Sequence, residues 1–207
     1  MNKYNDLVNV IDKVCLEAPA ENKRYHANPN NADDILHARS RGFIHLYLKV
    51  KFGLIDFSER EKYITDDTDD GGIDGYYIDE ENKKIYFIQS KFRANENNFE
   101  NKEITFEEIL LMDITRVMDG ETCYENGTKY NAKIQKLIRD LQEISDMPRY
   151  EIKVILLANV KSSLQGNIKK ILNYNPEIYN FEKCYNELVF PLVSGTYYNV
   201  PEFKDND

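Results

Sequence analysis

Tryptophan is absent from this chain, and cysteine, proline and glycine are scarce: three, six and nine in 207 residues. Cys15, Cys123 and Cys184 lie far apart and form no Cys-x-x-Cys pair, which argues against a disulfide framework or a cysteine zinc site. So few prolines and glycines exclude a collagen-like or low-complexity chain. With 42% hydrophobic residues, a chain of this length can bury a core as one globular domain.

Long apolar runs are lacking as well. No stretch approaches the roughly 20 apolar residues that span a bilayer. The N-terminal residues 1–6 are polar and do not resemble the apolar core of a signal peptide. The sequence therefore predicts a cytoplasmic protein with no membrane partner.

The negative charge is concentrated in one segment. The chain has a formal net charge of -9, and residues 56–81 alone hold eleven acidic and two basic residues, so the remainder sums to zero. An acidic chain does not bind polyanions through a broad basic surface. A dense group of carboxylates can bind a hard divalent cation, whereas the alternative interpretation is a solvated acidic loop.

The pattern of apolar residues predicts alternating helices and strands. Helical spacing of three and four residues, as in Leu7, Ile11 and Val14, contrasts with a buried run at residues 154–158 that is typical of a strand. Residues 188–200 mix a possible strand with tyrosines. We predict helices over residues 6–17, 31–52, 105–118, 128–144 and 162–172, and strands over 73–79, 84–92 and 151–160.

This order of elements indicates an α/β fold with a central sheet flanked by helices. The two strands at 73–79 and 84–92 form a hairpin, and the helical crossover to 151–160 predicts a parallel neighbour. We interpret residues 1–207 as one domain. Its parts would be a helical N-terminal region (1–60), a core (61–175) and a C-terminal extension (176–207).

The hairpin brings three polar residues together. If Glu81 and Asn82 form the turn, paired positions sum to 163, and Asp74 lies opposite Gln89 on the same face. Alternation along the strand adds Lys91 to that face. A bulge would shift this register by one residue.

These three residue types suit phosphodiester chemistry at a metal ion. Asp74 can hold Mg²⁺, Gln89 can offer a neutral amide oxygen, and Lys91 can orient a water or stabilise developing negative charge. Gly71, Gly72 and Gly75 would let the backbone approach a ligand. The alternative is an exposed aspartate beside two ordinary polar strand residues.

The motifs Gly71-Gly-Ile-Asp-Gly75 and Ile85-Tyr-Phe-Ile-Gln-Ser-Lys91 resemble the signature of the PD-(D/E)xK nuclease superfamily. The form is the variant with glutamine at the acidic position, as in Mrr-like restriction endonucleases. Residues 64–92 resemble most closely the nuclease-like N-terminal region of the AIPR (abortive phage infection) proteins. The resemblance implies a restriction-endonuclease-like core, with a mixed central β-sheet flanked by helices. It further implies metal-dependent hydrolysis of DNA in defence against phage or foreign DNA.

The resemblance also implies roles for individual residues. Asp74 would be the metal-binding acid, Gln89 a second ligand at the Asp/Glu position and Lys91 the catalytic lysine, with Asp70 as a weaker metal ligand and Mg²⁺ or Mn²⁺ as cofactor. Many superfamily members supply another acid from the preceding helix. Here that stretch carries Arg39 and Arg41, which become candidate nucleic-acid contacts. Asp33, Asp34 or Asp70 could replace the missing acid.

Two functional hypotheses remain open at this point. The first is a metal-dependent endonuclease acting on DNA, with RNA not excluded. The second is a catalytically inactive nucleic-acid-binding or protein-interaction module on the same fold, which the net charge and the missing helix acid favour. Nucleases that cut both strands are commonly dimers, so a homodimer is possible. AIPR proteins normally continue into a longer C-terminal region, which makes such a region or a partner protein a further expectation.

Overall fold

A computed structural model describes residues 2–160, 168–170, 174 and 176–195. The predicted helix over 162–172 lies outside the described residues except for 168–170, which are helical. None of the described helices is long and apolar enough to cross a membrane.

The chain begins with two helices that pack together, α1 (Lys3–Leu16) and α2 (Ala32–Phe52). The side chain of Asn31 accepts hydrogen bonds from two backbone N–H groups in the first turn of α2. Gly53 ends α2 in the left-handed conformation, with φ of 68°, as helix C-caps commonly do. The predicted bounds of α2 are therefore confirmed by the caps that the sequence supplies.

The central sheet has four strands in the order β1-β2-β3-β4. β1 and β2 are antiparallel, whereas β2, β3 and β4 run parallel. The mixed sheet and the parallel neighbour of the hairpin were both predicted. β4, which is short and begins with proline, was not predicted, and it places part of the C-terminal segment in the sheet. The strands are β1 (Gly75–Asp79), β2 (Lys84–Ser90), β3 (Glu151–Leu157) and β4 (Pro176–Ile178).

Short helices cover the sheet between and after the strands. A π-helical turn, Tyr185–Val189, connects the last two of the described helices. Phe181, Cys184 and Leu188 are buried at helical spacing, so the possible strand in 188–200 is wrong for residues 188–193. The remaining helices are α3 (Phe57–Glu61), α4 (Glu96–Asn101), α5 (Phe106–Leu110), α6 (Ile114–Met118), α7 (Ala132–Gln142), α8 (Phe181–Cys184) and α9 (Phe190–Val193).

The single helix predicted over 105–118 is two helices, α5 and α6. The backbone N–H of Asp113 donates to the carbonyl of Gly71 at 2.8 Å rather than to a helical carbonyl. The loop before β1 therefore interrupts the helix. In the same way the N–H of Asn131 donates to the carbonyl of Asp69 at 2.9 Å, and α7 begins only after Asn131 instead of at residue 128.

Two apolar layers enclose the sheet. Alternate residues of β2 and β3 point to opposite sides, as strand geometry requires. Ile88 and Ile155 pack toward α1, α2 and the C-terminal helices. Phe87 and Val154 pack toward α6 and α7. The helices thus flank the sheet on both faces, and β2 ends in the polar residues Gln89 and Ser90.

Candidate metal centre

The acidic loop, residues 65–74, leads into β1 and is held in place by backbone hydrogen bonds. The N–H groups of Thr65 and Asp66 both donate to the carbonyl of Asp74, each at 3.0 Å. From α7, the Asn131 side-chain amide donates to the carbonyls of Thr65 and Thr68 at 3.2 and 3.3 Å. The loop is therefore a folded part of the protein, so the purely solvated loop weighed above does not describe it.

Glycines allow this loop to pack closely. Gly72 has φ of 69°, and a Cβ atom on it would lie 2.4 Å from the carbonyl oxygen of Leu111. A Cβ on Gly75 would lie 2.9 Å from the Ile44 side chain. We predicted that these two glycines let the backbone approach a ligand. Protein atoms fill the space beside both of them, so their role is to allow close packing within the protein.

Three carboxylates of the loop form what we call the acidic cluster: Asp66, Asp70 and Asp74, with one oxygen of each within 4.8 Å of the others. Burial raises the pKa of Asp70 to about 6, and the nearby Asp66 charge adds to this effect. Burial, together with the charges of Asp66 and Asp70, raises the pKa of Asp74 well above its usual range. Grouped, partly desolvated carboxylates of this kind repel one another, and a cation relieves that repulsion.

Asp74 is fixed to β2 at a bulge. The predicted register, with positions summing to 163, is confirmed from Gly75 to Asp79. At Asp74 it shifts, since the Asp74 N–H donates to the carbonyl of Ile88 at 2.9 Å and Ile88 is already the partner of Gly75. The Asp74 carboxylate accepts the N–H of Ser90 at 2.7 Å. Asp74 is thus hydrogen-bonded to Ile88 and Ser90, the neighbours of Gln89 in β2, and it does not pair directly across from Gln89.

Gln89 is buried, with 6% exposure, and only half of its amide is satisfied. Its Nε2 donates to the carbonyl of Glu108 at 3.1 Å and lies 3.5 Å from that of Gly72. Because both neighbours are acceptors, the NH₂ group must face them. The Oε1 atom has no hydrogen-bond partner among the described residues. A buried acceptor without a partner is unfavourable, and a bound cation would satisfy it.

Lys91 lies just beyond the end of β2, and its side chain is 42% exposed. Its Nζ is 3.4 Å from the Glu108 carboxylate, and its charge lowers the pKa of Asp74 against the effect of burial. Glu108 also accepts the N–H of Thr105 in the capping box of α5. Sequence reasoning missed Glu108. The Thr-x-x-Glu spacing of a capping box was the available signal.

The two arginines that stand in place of the helix acid have different surroundings. Arg39 makes a bidentate ion pair with Asp12, at 2.8 and 2.9 Å. The Nε atom of Arg41 lies 2.7 Å from the carboxylate of Asp66. Asp33 and Asp34 are exposed in the first turn of α2 and are not part of the acidic cluster. Asp66, which sequence reasoning did not single out, is the third acid.

Comparisons with protein-family models, with curated proteins and with solved structures found no match to this chain.

Proposed function

We propose that this protein is a Mg²⁺- or Mn²⁺-dependent endonuclease that hydrolyses DNA phosphodiester bonds, acting in defence against phage or foreign DNA. The proposal includes a restriction-endonuclease-like core built on the observed mixed sheet. The observation that carries it is the buried Gln89 amide oxygen, left without a partner at the sheet end that also holds the acidic cluster and Lys91.

The donor set fits a hard divalent cation. Carboxylate and amide oxygens are the ligands of Mg²⁺ and Mn²⁺, and one or two carboxylates with several waters are enough for Mg²⁺. Asp74 and Gln89 would hold the ion, with Asp70 and Asp66 as further ligands. When bound, such an ion polarises a phosphoryl oxygen and lowers the pKa of a bound water.

Lys91 supports the reaction from the protein side. Hydrolysis joins a water oxygen to phosphorus and breaks a phosphorus–oxygen ester bond, and negative charge grows on the phosphate oxygens. A partly exposed ammonium group at the end of β2 can reach those oxygens and stabilise that charge. Glu108, 3.4 Å away, would act as a positioning residue for Lys91.

Metal dependence and the role of Asp74 can be tested together. Purified protein would be incubated with plasmid, single-stranded DNA and RNA in Mg²⁺, in Mn²⁺ and in EDTA. We expect cleavage only with metal, and its loss in Asp74→Asn. Lys84→Ala is the matched control, since Lys84 begins β2 at the end far from Ser90. Equal cleavage by wild type and Asp74→Asn would contradict the proposal.

The second candidate is a catalytically inactive binding module on the same fold. The specific observation in its favour is Arg41, which places a permanent positive charge 2.7 Å from Asp66 and so partly neutralises the acidic cluster without a metal. It predicts no metal-dependent turnover and no effect of Asp74→Asn on binding. Titration with Mn²⁺ separates the two candidates, because the nuclease requires a metal affinity that Asp74→Asn abolishes.

A further inference from the structure

A basic cavity of about 470 Å³ lies against the N-terminal part of α2. Its charged lining consists of Lys23, Arg24, Arg41 and one acid, Asp34, and His37 lines it too. A volume of this size falls within the range of ligand pockets. The net positive lining is unusual in a chain of charge -9, and it suits an anion.

Two arginines connect this basic cavity to the acidic cluster. Arg41 approaches the Asp66 carboxylate at 2.7 Å. Arg24 donates to the backbone carbonyl of Asp66 and lies 3.8 Å from the Asp67 carboxylate. The cavity and the acidic cluster therefore meet across Arg24 and Arg41.

The polar side chains that line the basic cavity retain unused hydrogen-bonding capacity. In the part of the chain that the structure describes, the side chains of Lys23 and His37 have no ion-pair partner. The buried Nε of Arg41 is close to Asp66 but lacks a hydrogen bond of acceptable geometry. A guanidinium has five N–H donors that match phosphate oxygens. A phosphate would thus accept hydrogen bonds from several donors, and Lys23 would have no existing ion pair to break.

We propose that the basic cavity binds a phosphate group of a nucleic-acid strand whose cleaved phosphodiester lies at the adjoining acidic cluster. The inference rests on the proposed function, since it assigns the strand's position at that same site. Carboxylates repel a polyanion, and cations directly beside them compensate for that repulsion. The phosphate is either internal to the strand or a terminal 5′-phosphate, two sources of the same chemistry.

The test measures binding without cleavage. The affinity of the full chain for a fluorescent oligonucleotide would be measured by anisotropy, in EDTA and in Ca²⁺, from low to high salt. The variants are Lys23→Ala with His37→Ala, both exposed positions, and the control is Lys84→Ala. We expect the magnitude of the negative slope of log affinity against log salt to fall by about 1, so that a tenfold rise in salt concentration weakens binding by the variant roughly tenfold less than binding by wild type. Lys84→Ala should match wild type.

Each outcome bears on the inference separately from the proposed function. The inference would be overturned if the double variant had the affinity and salt slope of wild type. It would also be overturned if wild type bound no oligonucleotide in EDTA or in Ca²⁺, even if the protein cleaves DNA. A reduced slope in the double variant would support phosphate binding in the basic cavity even if Asp74→Asn and wild type cleave equally, a result that would contradict the proposed function and the position of the cleaved bond at the acidic cluster. Comparing oligonucleotides with a 5′-phosphate and a 5′-hydroxyl distinguishes the sources. If wild type and the double variant bind the 5′-hydroxyl oligonucleotide equally, the cavity binds the terminal phosphate. If the variant still binds that oligonucleotide more weakly, the cavity binds an internal phosphate.

Discussion

The carboxylate of Asp74 accepts a hydrogen bond from the backbone N–H of Ser90 at 2.7 Å. Ser90 follows Gln89 and precedes Lys91, so this bond fixes the acid to the segment that carries the other two proposed site residues. The geometry of the site therefore depends on the main chain of the hairpin.

Replacing Asp74 separates charge from hydrogen bonding. Asp74→Asn retains an oxygen that can accept the Ser90 N–H but removes a buried ligand charge, so we expect Mn²⁺ binding to be lost while the fold is at least as stable as wild type. Asp74→Ala leaves the N–H unsatisfied and should cost about 1–3 kcal/mol of unfolding free energy. Calorimetric Mn²⁺ titration and urea unfolding measure the two effects. Retained Mn²⁺ affinity in Asp74→Asn would argue against a metal site here.

The raised pKa of Asp70 predicts how stability depends on pH. Asp70 has a pKa of about 6 in the folded protein and about 3.9 when unfolded. The unfolded state thus ionises first, and the free energy of unfolding falls as pH rises from about 4 to about 6, by at most about 3 kcal/mol. Asp70→Asn, which can still accept the Gly72 N–H, should remove this loss. Urea unfolding at pH 4 and pH 7.5 without metal would show it, and equal pH profiles for both proteins would refute it.

Glu108 is expected to position Lys91. Glu108→Gln can keep the capping box, which accepts glutamine at this position, but it removes the charge 3.4 Å from the ammonium. We expect a lower kcat for cleavage, a smaller loss than in Lys91→Ala, and unchanged Mn²⁺ affinity. Single-turnover cleavage together with Mn²⁺ titration provides both values. A variant with wild-type kcat would show that the ion pair does not position Lys91.

The packing of Gly72 provides a test of the acidic loop. A methyl group there would meet the Leu111 carbonyl at 2.4 Å in addition to the strain of a positive φ. Gly127 also has a positive φ, but a Cβ there meets nothing within 4 Å, so Gly127→Ala is the matched control. We expect Gly127→Ala to cost about 1 kcal/mol, and Gly72→Ala to cost more and weaken Mn²⁺ binding. Similar effects of the two variants would contradict the tight packing.

Local signals in the sequence were sufficient for the fold's framework. The bounds of α2 and the register of the hairpin are set by neighbouring residues, and these predictions are confirmed, for the register from Gly75 to Asp79. The break between α5 and α6 was missed because it arises from a hydrogen bond between Asp113 and Gly71, far apart in sequence. Periodicity alone contains no information on such contacts.

The candidate site likewise contains residues that local sequence signals predict and residues that only tertiary contacts bring into it. Gln89 and Lys91 could be predicted from alternation along β2, and Asp74 from its place at the end of the hairpin, although its predicted pairing directly opposite Gln89 is wrong. Asp66 and Glu108 join the site through the folding of the acidic loop and the placement of α5, which tertiary contacts determine. The shift at Asp74 depends on a bulge, whose position the hairpin sequence does not specify.

In the proposed mechanism, Lys91 and a metal ion act together on a phosphodiester bond. The most direct measurement is cleavage of plasmid DNA by wild type and Lys91→Ala, in parallel, with Mg²⁺, with Mn²⁺ and with EDTA. We expect cleavage by wild type only with metal, and none by a Lys91→Ala protein that folds normally by circular dichroism. Cleavage by Lys91→Ala at the wild-type rate, or cleavage that persists in EDTA, would contradict it.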